Sequence, residues 1–226
     1  MDEIAPGVHL WRARHPEWRP TAEAVGSYAL VCDDTLALVD PLLPTDDAPD
    51  DDALLADLDA LVAATARLEI LTTIPYHTRS AEALFERYRG RVGTRLWGHP
   101  LVSARLRDDT PLETMPRGKT GTGAPIAGGL ALAFTIGNPR RAETPLYFPR
   151  LRTLAFGDAV VGVGGGLRVW QWQATKPGWY EQRFLPTLRP LLDLDAERVL
   201  VTHGEPVVRD GRAALAAALD TPPTAY

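Results

Sequence analysis

Three short apolar runs constrain this chain more than any other feature, because each stops abruptly at a residue able to bind a metal or move a proton. They are residues 68–77, ending in His77, residues 151–158, ending in Asp158, and residues 198–204, ending in His203 and Gly204. Each has the length and the Leu, Ile, Val, Phe, Ala and Thr content of a buried strand, so the polar residue falls at the strand's carboxyl end. In layered α/β proteins ligands sit at that edge, since the loops leaving the strands diverge there and open a crevice. His77, Asp158 and His203 are therefore expected to converge. Asp, His and Gly are also ordinary turn formers after a strand, and one such run alone would carry no message.

A chain of 226 residues, 45% hydrophobic and 23% charged, has enough apolar material for one large domain or two small ones. No linker long enough to split it stands out, so a single domain over 1–226 is expected. The net charge of −5 comes with no basic stripe, and only Lys119 and Lys176 are lysines. Nothing electrostatic points to nucleic acid. The first residues lack the positive region and apolar core of a signal peptide, and no segment has the apolar length to cross a membrane. Cys32 is the only cysteine, which excludes an internal disulfide and a Cys-rich zinc site. The expected location is cytoplasmic.

Along the chain, residues 7–12 alternate as a half-buried strand, with His9 on the polar face and His15 in a Pro-flanked loop. Residues 27–32 and 35–40 read as a hairpin about Asp33 and Asp34, and Pro41 stops its second strand. Five Asp and two Pro between 44 and 52 mark a solvated loop with a helix cap near Asp50 to Asp52. Leu54, Leu55, Leu58, Leu61 and Val62 then repeat at helical spacing. A helix over 79–89 with Ser80 as cap, and a strand over 91–97 ending at His99, follow the first run. Residues 108–123 read as a surface excursion, and strands are expected over 130–136 and 144–149.

Residues 160–167 are too glycine-rich for a helix and allow close backbone approach. Residues 169–173 alternate like a strand, which puts Trp170 and Trp172 on one face as a possible apolar wall for a substrate. Pro177 opens a helical stretch to Leu192 that Pro186 and Pro190 interrupt, and a last helix spans 211–219. Gly118, Lys119 and Thr120 imitate the end of a phosphate-binding loop. Glu113 stands where its first glycine belongs and no apolar strand precedes it, so a nucleotide site is rejected.

In this order the landmarks resemble the metallo-β-lactamase superfamily, over roughly Val8 to Leu219. Residues 27–31 and 38–40 are similar to its "N-x-Y-L-V … L-I-D" hairpin, and residues 73–79 fall where its "T-H-x-H-x-D-H" motif belongs. Residues 137–139 fall at "G-H-T-P-G", Gly157 and Asp158 at "G-D", and Thr202 to Gly204 at the final "G-H-G". The resemblance implies an α/β (α+β) fold, a four-layer αββα sandwich with a metal cleft at one edge of the paired sheets. It also implies a hydrolase with two metal ions, usually zinc. Here the ligand positions of the first motif hold Ile74, Tyr76, Thr78 and Arg79, with His77 one place away, and Asn138 replaces the His of the second. Asp158 and His203 carry over.

Useful zinc binding takes at least three protein donors, and Ile and Thr supply none. Arg79 puts a fixed positive charge where a cation would go. A dinuclear hydrolase is not expected. One reading keeps a hydrolase-like site on a small-molecule ligand, with His77, Asp158 and His203 holding a single zinc or iron ion, or none. In it His203, oriented by Asp158, can serve as general base, Arg79 can hold an anionic group, and Tyr76 can donate to an oxyanion. The other reading is a non-catalytic, metal-free member of the fold, in which Arg79 replaces the cation and pairs with Asp158 while the site binds a small ligand or a partner. His99 reads as a strand-end cap or a further ligand, and Arg140 with Arg141 as a solvated pair or an anion contact.

Overall fold

A computed structural model describes residues 1–14, 24–44, 51–137, 142–171 and 178–225. The chain divides into two compact units, Met1–Thr114 and Met115–Tyr226. The expected positions of His15, Asn138, Arg140, Arg141, Trp172 and Pro177 lie outside the described residues.

In the first unit β1 (Asp2–Ala5), β2 (Val8–Arg14), β3 (Ala24–Cys32) and β4 (Thr35–Val39) form an antiparallel run. The β3–β4 hairpin turns at Asp33, whose φ of 51° suits a short acidic side chain. From β4 onward the sheet becomes parallel: α1 (Asp51–Ala63) leads to β5 (Arg67–Leu71), and α2 (Ala81–Tyr88) to β6 (Gly93–Gly98). A parallel neighbour needs a crossover of this kind, and each helix supplies one. β7 (Glu113–Thr114) extends the sheet beyond β6, to which it pairs parallel, so the excursion over 108–123 returns to the sheet midway.

The helical spacing read from the sequence is observed for Leu54, Leu58 and Val62, with Leu61 partly buried beside them and Leu55 outside the core cluster. Leu54, Leu58 and Val62 of α1 and Leu84, Phe85 and Tyr88 of α2 bury against Leu36, Leu38, Leu68, Ile70 and Leu96. Ser80 does stand at the N-cap of α2, but its side chain makes no cap bond. Its Oγ instead accepts from the Leu43 amide at 2.9 Å, tying the chain after β4 to the start of the helix.

In the second unit β8 (Gly123–Ile126), β9 (Ala131–Phe134), β10 (Leu146–Phe148) and β11 (Thr153–Phe156) are successive antiparallel neighbours. The glycine-rich stretch, read as too rich in glycine for a helix, forms a separate hairpin, β12 (Val160–Val163) with β13 (Gly166–Val169), turning at Gly164 and Gly165 with φ of 61° and 79°. Of the strand expected over 169–173, Val169 closes β13, and residues 172 and 173 lie outside the described residues. Trp170, just beyond β13, forms an isolated bridge with Thr224, and its amide donates to the Ala159 carbonyl at 3.1 Å.

The Pro-interrupted helix appears in three pieces: a π-helical turn at Tyr180–Phe184, α3 (Leu185–Leu188) and a 3-10 turn at Arg189–Asp193. Pro186 and Pro190 each fall in the first positions of a new piece, where a missing N–H costs least. Last come β14 (Arg198–Val201), parallel to β11, and α4 (Gly211–Leu219). Leu154, Phe156, Val199 and Val201 present alternate side chains to a core with Phe184, Leu188, Leu215 and Leu219. No helix among the described residues is long and apolar enough to cross a membrane.

Candidate functional site

Register brings Asp158 and His203 together. In the parallel β11–β14 pair Phe156 lies opposite Val201, so two residues further on, where both strands run out, 158 and 203 come level. Both side chains are buried, and His203 Nε2 lies 3.5 Å from Asp158 Oδ1. That is long for a direct hydrogen bond. It matches the spacing of two ligands on one tetrahedral ion, about 3.3 Å for metal–ligand bonds near 2 Å.

The turn that presents Asp158 is held by Glu143, a buried carboxylate that accepts from the amides of Gly157 at 3.0 Å and Asp158 at 3.2 Å. The turn that presents His203 is held by backbone. Gly162 of β12 donates to the His203 carbonyl at 2.8 Å, so the two chains touch. A Cβ on Gly162 would stand 2.2 Å from Glu205 O, and one on Gly204 2.0 Å from Gly162 O. Gly204 also has a φ of 76°. Only glycine fits at either position. Trp170, buried, meets His203 edge to face with ring centroids 5.2 Å apart, so it packs on the imidazole itself.

His77 belongs to the first unit and ends a 3-10 turn, Pro75–His77, that follows β5. It is buried, and its Nδ1 lies 2.9 Å from Oδ2 of Asp40. The same Oδ2 accepts from the Thr73 hydroxyl, while Oδ1 accepts from the Thr73 amide at 2.7 Å. Burial works to raise the Asp40 pKa, but the pull of His77 and Arg79 and the hydrogen bonds from His77 and Thr73 bring it below the usual carboxylate value. Arg79 donates to the Asp40 carbonyl at 3.2 Å. Its Nε is enclosed without a partner among the described residues, although the residue as a whole is only partly buried. Burial lowers its pKa to about 10, against the opposing pull of Asp40, which leaves the guanidinium charged at neutral pH. Asp40 and Arg79 both adopt left-handed φ, 47° and 41°, a conformation that costs about 1 kcal/mol or more and that the surrounding contacts must hold.

Tyr76 is half exposed, and the Arg105 guanidinium covers its ring at 4.3 Å. His99 is a cap: its Nδ1 accepts from the Leu101 amide at 3.1 Å at the start of the turn Pro100–Arg105. Asp40 and Glu143 are the two residues that the sequence reading did not select. Asp40 carries the same signal as Asp158, an apolar strand stopping at a carboxylate, but Pro41 beside it accounts for the stop without any site. Glu143 has no local signal.

No family model matches the sequence, and no curated protein matches it. Solved structures do. A metallo-β-lactamase named DIM-1 aligns over 97% of this chain and 94% of its own, with TM-score 0.63 and 12% identity. The metallo-β-lactamase from Erythrobacter litoralis, with β-mercaptoethanol in its active site, aligns over 97% and 93%, with TM-score 0.65 and 16% identity. A metallo-β-lactamase family protein from Thermus thermophilus aligns over 96% and 80%, with TM-score 0.59 and 22% identity. From end to end, then, the chain has the metallo-β-lactamase fold.

Proposed function

We propose that this protein is a hydrolase-like enzyme of the metallo-β-lactamase fold that acts on a small molecule with one zinc or iron ion held by His77, Asp158 and His203. The observation that carries the reading is the Asp158–His203 pair, two buried donors brought level by strand register at the separation of ligands on one ion. His77 adds a third buried donor, again at the carboxyl end of a buried parallel strand. Two imidazoles and a carboxylate suit zinc or ferrous iron and leave room for substrate.

The ion would supply Lewis acidity and a water activated at neutral pH. The protein's own parts do the rest. Asp158 and His203 bind and keep each other's orientation, and Trp170 closes one side of His203 to solvent. Arg79, still cationic, offers a charge for an anionic group of the substrate, and Tyr76 a phenol for a developing oxyanion. A second ion has no place in this reading, because Ile74, Tyr76, Thr78 and Arg79 give it no ligands at the family's positions. A cytoplasmic enzyme with a soluble small-molecule partner completes the proposal.

One observation favours a second reading. The Arg79 guanidinium, charged and anchored to Asp40, is what a metal-free member of the fold would use as a fixed counter-charge for an anionic ligand. Metal content separates the two. Protein purified without added zinc is expected to carry close to one equivalent of metal, lost in His77→Ala and in His203→Ala. Metal-free protein whose melting temperature ignores zinc would sink the first reading and favour the second.

A further inference from the structure

The network around Asp40 does more than anchor a loop. A carboxylate only accepts hydrogen bonds, and both oxygens of Asp40 are already committed to donors. Oδ1 takes the Thr73 amide, whose proton cannot be moved elsewhere, and Oδ2 takes the Thr73 hydroxyl. The remaining neighbour, His77 Nδ1 at 2.9 Å from Oδ2, meets an atom with nothing to donate. It must therefore present a proton of its own.

We propose that Asp40 is a positioning residue, which holds His77 in the Nδ1–H tautomer so that Nε2 is the basic nitrogen, the one that can bind a metal. The assignment of a metal to His77 rests on the reading above; the tautomer does not. The arrangement is the carboxylate–histidine pairing by which an outer residue sets which ring nitrogen is basic. Asp40 has a left-handed φ of 47°, and the hydrogen bonds from Thr73 and His77 are contacts that help to hold it there.

Asp40→Asn supplies a near-isosteric test. The Asn oxygen must stay opposite the Thr73 amide, because two donors facing each other would leave a buried N–H unsatisfied. The amide NH2 then takes the place of Oδ2. The Thr73 hydroxyl can rotate to accept, but His77 Nδ1 can accept only by moving its proton to Nε2. Thr73→Val removes the hydroxyl, keeps the amide bond and leaves the pairing to His77 intact.

The readout is long-range ¹H–¹⁵N correlation of the imidazoles in metal-free protein at a pH where the ring is neutral. The His77 signals are assigned among the five histidines by their loss in His77→Gln. The Nδ1–H form is expected in the wild type and in Thr73→Val, and the Nε2–H form in Asp40→Asn. An Nε2–H form of His77 in the wild type, which needs no variant to fold, overturns the proposal, as does an unchanged tautomer in folded Asp40→Asn. Zinc titration adds the second arm: affinity should fall about 10- to 100-fold in Asp40→Asn and stay within about twofold in Thr73→Val. If the tautomers behave as stated while no variant, nor the wild type, binds zinc, the positioning role stands and the metal-enzyme reading falls.

Discussion

In the first unit the carboxyl edge of the parallel strands is closed by side chains. Asp40 follows β4, Thr73 follows β5, and hydrogen bonds from Thr73 and His77 converge on one carboxylate. In the second unit the same kind of edge is held by one carboxylate at the Asp158 turn and by backbone packed on backbone at the His203 turn. Gly162 and Gly204 let two chain segments touch, and Glu143 grips two consecutive amides. A side-chain network can adjust by rotating a hydroxyl or exchanging a proton. Backbone packed on backbone has no such freedom. The first edge is therefore suited to selecting the chemical form of a donor, and the second to fixing where donors stand.

Gly162→Ala should give the largest effect that tests this contrast. The new methyl would meet backbone atoms of Glu205 at 2.2 and 2.5 Å, and neither can turn aside. A loss of about 3 kcal/mol or more is expected in denaturant unfolding. A loss below about 1 kcal/mol would show that the second edge yields as easily as the first.

Glu143→Gln comes next. One of the two amides, Gly157 or Asp158, would face an NH2 instead of an oxygen, and leaving a buried donor unmet costs about 1–3 kcal/mol. Asp158 would also lose its placement, so under the proposed single-metal reading zinc affinity should drop with stability. A stable variant with native zinc affinity would remove Glu143 from the account.

Gly98→Ala probes the first unit by the same steric insult with softer neighbours. Its methyl would meet Thr72 Oγ1 at 2.4 Å and Val102 Cγ2 at 2.7 Å, both on side chains. About 1–2 kcal/mol is expected, less than for Gly162→Ala measured side by side. Reversal of that order would break the comparison.

The smallest effect should come from Asp59→Asn, which loosens the ion pairs joining α1 to α2. Asp59 accepts from Arg87 Nε at 3.1 Å and Nη2 at 2.6 Å, and the Arg87 hydrogen bonds lower its pKa more than partial burial raises it. A carboxylate whose folded pKa is depressed contributes stability above its unfolded pKa and loses it as pH falls through the folded value. The variant should therefore cost under about 1 kcal/mol at neutral pH, less in high salt, with the difference from wild type fading in acid. A cost that persists below the folded pKa would mean packing rather than charge ties the helices.

Local pattern made much of this protein legible. The helical spacing of Leu54, Leu58 and Val62, the alternation of the strands, the Asp33–Asp34 turn and the breaks at Pro186 and Pro190 depend on neighbours a few residues away, which the sequence shows directly. So did the strand ends at Asp158 and His203, because an apolar run that stops is itself a local event. Strand pairing alone decided that those two residues come level, since register is a relation between segments 45 positions apart. The third dimension also brought Asp40 to Nδ1 of His77, and it turned Ser80 from a helix cap into an anchor for Leu43. A hydrogen bond spends its energy on whichever partner the folded chain delivers, and no residue type announces that partner in advance.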